Sequence, residues 1–114
     1  MGKPVMIPKG GTHTFAETLH LPAFLAKCLG DENRLRILLC ISGQRKSVSA
    51  IAESLGLSQP LVSHHLKELK RSLLVTVERE GPFIYYSLSD PRTLDILRTL
   101  SELAADLLET RKGF

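Results

Sequence analysis

Two short amphipathic segments separated by three residues constrain this chain more than any other feature. Val48, Ile51, Ala52 and Leu55 recur at i, i+3, i+4 and i+7, the spacing that collects side chains on one face of a helix. Gly56 stops that segment, and Ser58 can cap a second one, in which Val62, Leu66, Leu69 and Leu73 repeat the same face. Two helices only a three-residue turn apart, Gly56-Leu57-Ser58, form a helix-turn-helix.

Beyond Leu74 the period changes to two. Val75, Val77 and Arg79 alternate with Thr76, Glu78 and Glu80, Gly81-Pro82 turns the chain, and Ile84, Tyr86 and Leu88 alternate with Tyr85, Ser87 and Ser89, which predicts a β-hairpin. Asp90 and Pro91 suit the N-cap and first position of a last helix, along which Leu94, Leu97, Leu100, Ala104, Leu107 and Leu108 share a side.

Upstream, Thr14 with Glu17 fits a capping box, and Leu21, Phe24, Leu25, Cys28 and Leu29 form apolar rows of a helix reaching Leu29. Pro22 either kinks a helix begun near Phe15 or occupies the first turn of a shorter one. Gly30 ends it, Asp31 caps the next, and Leu35, Ile37, Leu38, Leu39 and Ile41 predict that this next helix is buried on more than one side. The expected fold is mainly α with a small β-hairpin: a winged helix-turn-helix in the order α-α-α-α-β-β-α.

A length of 114 residues, 43% hydrophobic and 24% charged, suits one compact domain. Residues 1–13, with Pro4, Pro8 and Gly10-Gly11, read as a flexible arm, and residues 14–114 as the winged helix-turn-helix domain. The apolar runs are too short for the roughly 20 residues of a membrane span. Neither a leader pattern nor more than two cysteines, Cys28 and Cys40, is present, which suits a reducing cytoplasm. With no Gly-rich phosphate loop and no nucleophile beside a positioned base, an enzyme is not expected, nor is a cofactor. The net charge of +3 and a pI of about 9.1 are compatible with a polyanionic partner without requiring one.

With the leucines of the second segment turned inward, a wheel at about 100° per residue leaves Pro60, His64, Lys67 and Arg71 outward, flanked by Gln59, Ser63 and Lys70. Short polar groups near a helix N-terminus, followed by cations, suit a helix lying in the major groove: Gln59, Ser63 and His64 on base edges, Lys67, Lys70 and Arg71 on phosphates. Ser58 stands at the same helix end. Arg79 and Tyr85 are the hairpin's candidates for the neighbouring backbone or minor groove, with the pull of Arg79 moderated by Glu78 and Glu80. A polar helix face is ordinarily just solvated; the short helix before it and the hairpin after it raise DNA contact above that reading. His65 falls nearer the core and reads as a packing histidine, as does one of Tyr85 and Tyr86.

From Leu29 to Asp90 the chain resembles the ArsR/SmtB family of winged-helix repressors. The resemblance is carried by Leu29-Gly30-Asp31-Glu32-Asn33-Arg34-Leu35-Arg36-Ile37-Leu38, by Leu57-Ser58-Gln59-Pro60-Leu61-Val62-Ser63-His64-His65-Leu66 and by Tyr85-Tyr86-Ser87-Leu88. It implies a homodimer joined through its first and last helices that represses from a palindromic operator and is released by an inducer, here unidentified. The family's metal sites are altered. Ser47-Val48-Ser49 stands where an arsenical site has Cys-x-Cys, and Asp90, Arg92, Leu103 and Asp106 stand where a zinc site has Asp, His, His and a further ligand. Serine does not replace a thiolate for a soft ion, and Arg and Leu do not ligate zinc, so no metal is expected at either place.

A family branch senses reactive sulfur or oxidants through paired thiols, which leaves Cys28 and Cys40 as possible sensing residues. Counting along the helix separates them by about 12 Å, beyond the roughly 7 Å a disulfide tolerates between Cα atoms, and core packing is the favoured reading of both. A thiol-based redox or arsenical sensor, acting across a dimer, stays open beside it. So does a winged-helix interaction module that has lost DNA binding, slightly favoured by Glu78 and Glu80.

Overall fold

A computed structural model of the chain describes residues 16–110; the expected arm and the capping residue Thr14 lie outside them. A 3-10 turn (Ala16–Thr18) leads into α1 (His20–Leu29), α2 (Glu32–Cys40), α3 (Val48–Leu55), α4 (Gln59–Arg71), β1 (Val75–Glu80), β2 (Phe83–Leu88) and α5 (Arg92–Thr110). The element order is the one read from the sequence. Pro22 sits in the first turn of α1, where its missing N–H has no partner to lose, so the shorter of the two expected helices forms.

The core is built from Ile37, Leu38 and Ile41 of α2 and its end, Ile51 and Ala52 of α3, Val62, Leu66 and Leu69 of α4, with Leu74, Val75 and Leu97. Helix α2 is central as expected, but Leu39 is 51% exposed. A helix of nine residues presents one wide stripe to α3 and α4, and Leu39 falls beyond its edge.

Capping follows the expected chemistry. The Asp31 carboxylate accepts from the Arg34 backbone N–H at 3.1 Å, and the Ser58 hydroxyl accepts from that of Leu61 at 3.2 Å. Ser47 does the same for Ala50 at the start of α3, and Asp90 for Arg92 at 2.9 Å at the start of α5. Two arginines of α2 satisfy carbonyls that helix ends leave free: Arg34 Nε donates to the Cys28 carbonyl at 2.7 Å, and Arg36 Nη2 to that of Leu55 at 2.9 Å.

Leu73 corrects the expected inward row of α4. The helix stops at Arg71, the N–H of Leu73 bonds the Lys70 carbonyl at 3.0 Å, and that of Leu74 bonds the Leu69 carbonyl at 3.0 Å, the paired bonds of a Schellman ending. Such an ending needs a left-handed residue, and Leu73 supplies it at φ +67°. The reversal swings Leu73 out to 79% exposure and drops Leu74 into the core in its place.

The hairpin pairs Val75 with Leu88, Val77 with Tyr86 and Arg79 with Ile84 on one face, and Thr76 with Ser87, Glu78 with Tyr85 and Glu80 with Phe83 on the other. Val75, Tyr86 and Leu88 belong to the core face, so Tyr86 is the packing tyrosine. Lys46 adds an isolated bridge to β2, exchanging two backbone hydrogen bonds with Tyr86 at 3.0 and 2.8 Å, which ties the wing's root to the loop before α3.

Helices α1 and α5 project. Helix α1 buries none of its residues fully, and every residue of α5 beyond Leu97 is exposed. The radius of gyration is 16.6 Å against about 13 Å for a compact chain of about 100 residues.

Candidate nucleic-acid interface

Helix α4 divides cleanly by environment. Val62, His65, Leu66 and Leu69 are buried, held by α2 and α3, while Gln59, Pro60, Ser63, His64, Lys67, Lys70 and Arg71 are all exposed. The two short helices α3 and α4 meet through Gly56 at φ +69° and the bond from the Leu57 N–H to the Ala52 carbonyl at 3.0 Å. Gly56 has no non-neighbouring atom within 4 Å of where a Cβ would sit, so its backbone angle, not crowding, is what calls for glycine.

Every sequence-predicted residue of the second helix therefore falls on one solvent-facing strip. The cations on it are sparsely engaged: Arg71 reaches Glu68 one turn earlier at 3.4 Å, and the side chains of Lys67 and Lys70 have no ion partner among the described residues. Ser58 is exposed, but its oxygen is committed to the helix cap, leaving only its O–H to offer. At the wing Arg79 is exposed and unpaired among the described residues, on the face opposite Glu78 and Glu80.

Tyr85 departs from a simple contact residue. The Arg45 guanidinium lies 4.3 Å from its ring centroid and also binds Glu78 at 2.6 Å and Glu80 at 2.7 Å. Nothing local in the sequence links Arg45, in the polar stretch between α2 and α3, to glutamates more than thirty positions away.

His65 lies beneath the strip, only 6% exposed. Its Nδ1 has no hydrogen-bond partner, and its Nε2 is 3.8 Å from Asp31 Oδ1, too long for a hydrogen bond. Burial lowers its pKa, Asp31 opposes that, and Arg34 and His64 add to it.

Both cysteines are half-buried and unbridged. Cys28 wedges the end of α1 against the end of α4, its sulfur accepting from the Ser72 hydroxyl at 3.2 Å and lying 3.7 Å from the Glu68 carbonyl. Cys40 edges an open depression with Arg36, Leu39, Lys46, Ser54 and Leu55, and its carbonyl accepts from Lys46 Nζ at 2.9 Å. No group of three or more His, Cys, Asp or Glu side chains able to hold a metal occurs among the described residues. Of the positions matching the family's metal sites, Ser47 caps α3 with its oxygen 3.3 Å from that of Ser49, and Asp90 is paired with Arg92 at 2.9 Å. No helix of the described residues is long and apolar enough to cross a membrane.

The family model described as "Bacterial regulatory protein, arsR family" matches residues 31–77, from the cap of α2 into β1. Nodulation protein NolR of Rhizobium meliloti is 34% identical over 90 residues, 79% of this chain and 74% of that protein. The chain belongs to the ArsR family. Transcriptional repressor SdpR of Bacillus subtilis is 40% identical over 63 residues, covering 55% of this chain and 70% of that one. Among solved structures, the homodimeric winged helix-turn-helix DNA-binding domain Mb0332 of Mycobacterium bovis, described as a possible ArsR-family transcriptional regulator, superposes with a TM-score of 0.72 at 27% identity, covering 94% of this chain and 99% of that one. The winged helix-turn-helix of this ArsR-family chain thus has its counterpart in a solved fold.

Proposed function

We propose that this chain is a cytoplasmic DNA-binding transcriptional repressor that acts as a homodimer, with residues 14–114 as its working domain. The observation that carries the reading is the solvent-facing strip of α4, polar at its N-terminal end and cationic toward its C-terminal end, on a helix whose other face is anchored in the core. Gln59, Ser63 and His64 read base edges, while Lys67, Lys70 and Arg71, with Ser58 at the helix start, hold phosphates. From the wing, Arg79 reaches the neighbouring backbone, and Tyr85 offers its ring edge and hydroxyl, its face being covered by Arg45.

The apolar rows of α1 and α5, exposed in the single chain, supply the dimer contact. A two-fold pair sets half-sites about one helical turn, roughly 34 Å, apart, so the operator is palindromic. The inducer acts without the family's two usual metal sites, whose thiolate and imidazole positions carry serine, arginine and leucine. Cys28 and Cys40 serve as packing groups.

Footprinting on genomic fragments that flank the coding sequence tests the reading. A symmetric protected region whose affinity falls steeply between about 50 and 200 mM salt is expected. Equal, weak binding to every duplex, with no symmetric footprint, would remove the operator assignment.

A further inference from the structure

Arg45 belongs to neither the helix-turn-helix nor the hairpin, yet it touches three side chains of the wing. The bridge between Lys46 and Tyr86 places the preceding residue beside β2. From there the Arg45 guanidinium crosses the Tyr85 ring and ends on β1, one amino nitrogen on Glu78 and the other on Glu80. Glu78 and Glu80 share this face with their cross-strand partners Tyr85 and Phe83. Their carboxylates are more than half exposed, so the contact adds little to stability.

Its larger effect is on charge. The hairpin carries two glutamates and one arginine, Arg79, and is negative taken alone; Arg45 brings the group to neutrality. Uncovered carboxylates close to a phosphate backbone repel it across the screening length, about 8 Å at physiological salt. We propose that Arg45 is a positioning residue for DNA binding: by clamping Glu78 and Glu80 beside the Tyr85 ring it screens the wing's acidic face from the phosphates. It acts through the glutamates and makes no phosphate contact of its own. The proposal rests on the DNA-binding reading.

The test is fluorescence anisotropy with a fluorescein-labelled duplex of mixed sequence, comparing the full chain with Arg45→Ala and with the triple variant Arg45→Ala, Glu78→Gln, Glu80→Gln. Melting curves establish that each variant is folded. Arg45→Ala is expected to bind about tenfold more weakly at about 50 mM salt, the deficit shrinking as salt screens the exposed carboxylates. The triple variant is expected to return to within about twofold of the original affinity. A folded Arg45→Ala variant that binds like the parent overturns the proposal. So does a triple variant that stays weak, because a lost phosphate contact or a displaced wing would not be repaired by neutral glutamines. If the unsubstituted chain binds no duplex, the DNA-binding reading itself fails, and this proposal with it.

Discussion

Leu73 ends α4 in the same backbone conformation that Gly56 uses to end α3, φ +67° against +69°. The left-handed region costs a residue with a Cβ about 1 kcal/mol or more, and glycine pays almost nothing there. Leu73 is 79% exposed, so truncating it forfeits little burial. Leu73→Gly is therefore expected to stabilise the fold by about 1 kcal/mol, and Gly56→Ala to destabilise it by a similar amount. Denaturant titration at one fixed protein concentration reads both; a destabilised Leu73→Gly would mean that the exposed side chain makes contacts in the native assembly.

His65 ties stability to pH. Because burial lowers its folded pKa below the unfolded value, helped by Arg34 and His64 and opposed by Asp31, the unfolded chain takes up this proton first as pH falls. Stability is expected to decline as pH drops below about 6.5 and to level off below the folded value. His65→Leu should flatten that part of the profile. Asp31 behaves separately: the Arg34 backbone N–H holds its carboxyl below the ordinary range, so its contribution disappears only in stronger acid, once pH falls below about 4. An unchanged slope between neutral pH and pH about 5 in His65→Leu would assign the effect to another group.

The projecting part of α5 predicts an assembly. Leu103 and Leu107 are 51% and 59% exposed in the single chain, an apolar row continued by Leu100 and Leu108. Placing a charge in a dimer seam leaves it buried and unpaired. Leu103→Glu with Leu107→Glu is expected to convert a dimer to a monomer in sedimentation velocity while α4 and the wing stay folded. A dimer that persists would move the interface elsewhere.

On α4, two neighbouring substitutions are expected to differ in kind. Lys67→Gln should weaken binding to all duplexes and lower the slope of log affinity against log salt by about one phosphate's worth. His64→Ala or Gln59→Ala should instead relax preference at particular base pairs, each by about 1–3 kcal/mol of discrimination. Selection of bound sequences from a random pool separates the two behaviours, and identical selected motifs for the parent, His64→Ala and Gln59→Ala would end the base-contact assignment.

What a linear reading of the residues captured was governed by neighbours within a few positions. Helix periodicity at Val48 to Leu55 and Val62 to Leu69, capping at Asp31, Ser58 and Asp90, and alternation through the hairpin all arise from local geometry, and so does the outward strip of Gln59, Ser63, His64, Lys67 and Arg71. Leu73 defeated the same logic because its place depended on where α4 stopped: one left-handed residue rotates the chain, and Leu74 enters the core instead. Leu39 lies outside the core although its neighbours in sequence are apolar, because the width of the stripe on α2 is set by the helices packed against it. The clamp of Arg45 on Glu78 and Glu80, and the approach of His65 to Asp31, join residues more than thirty apart, and side chains so distant meet only once burial of the shared core has folded the intervening chain back on itself.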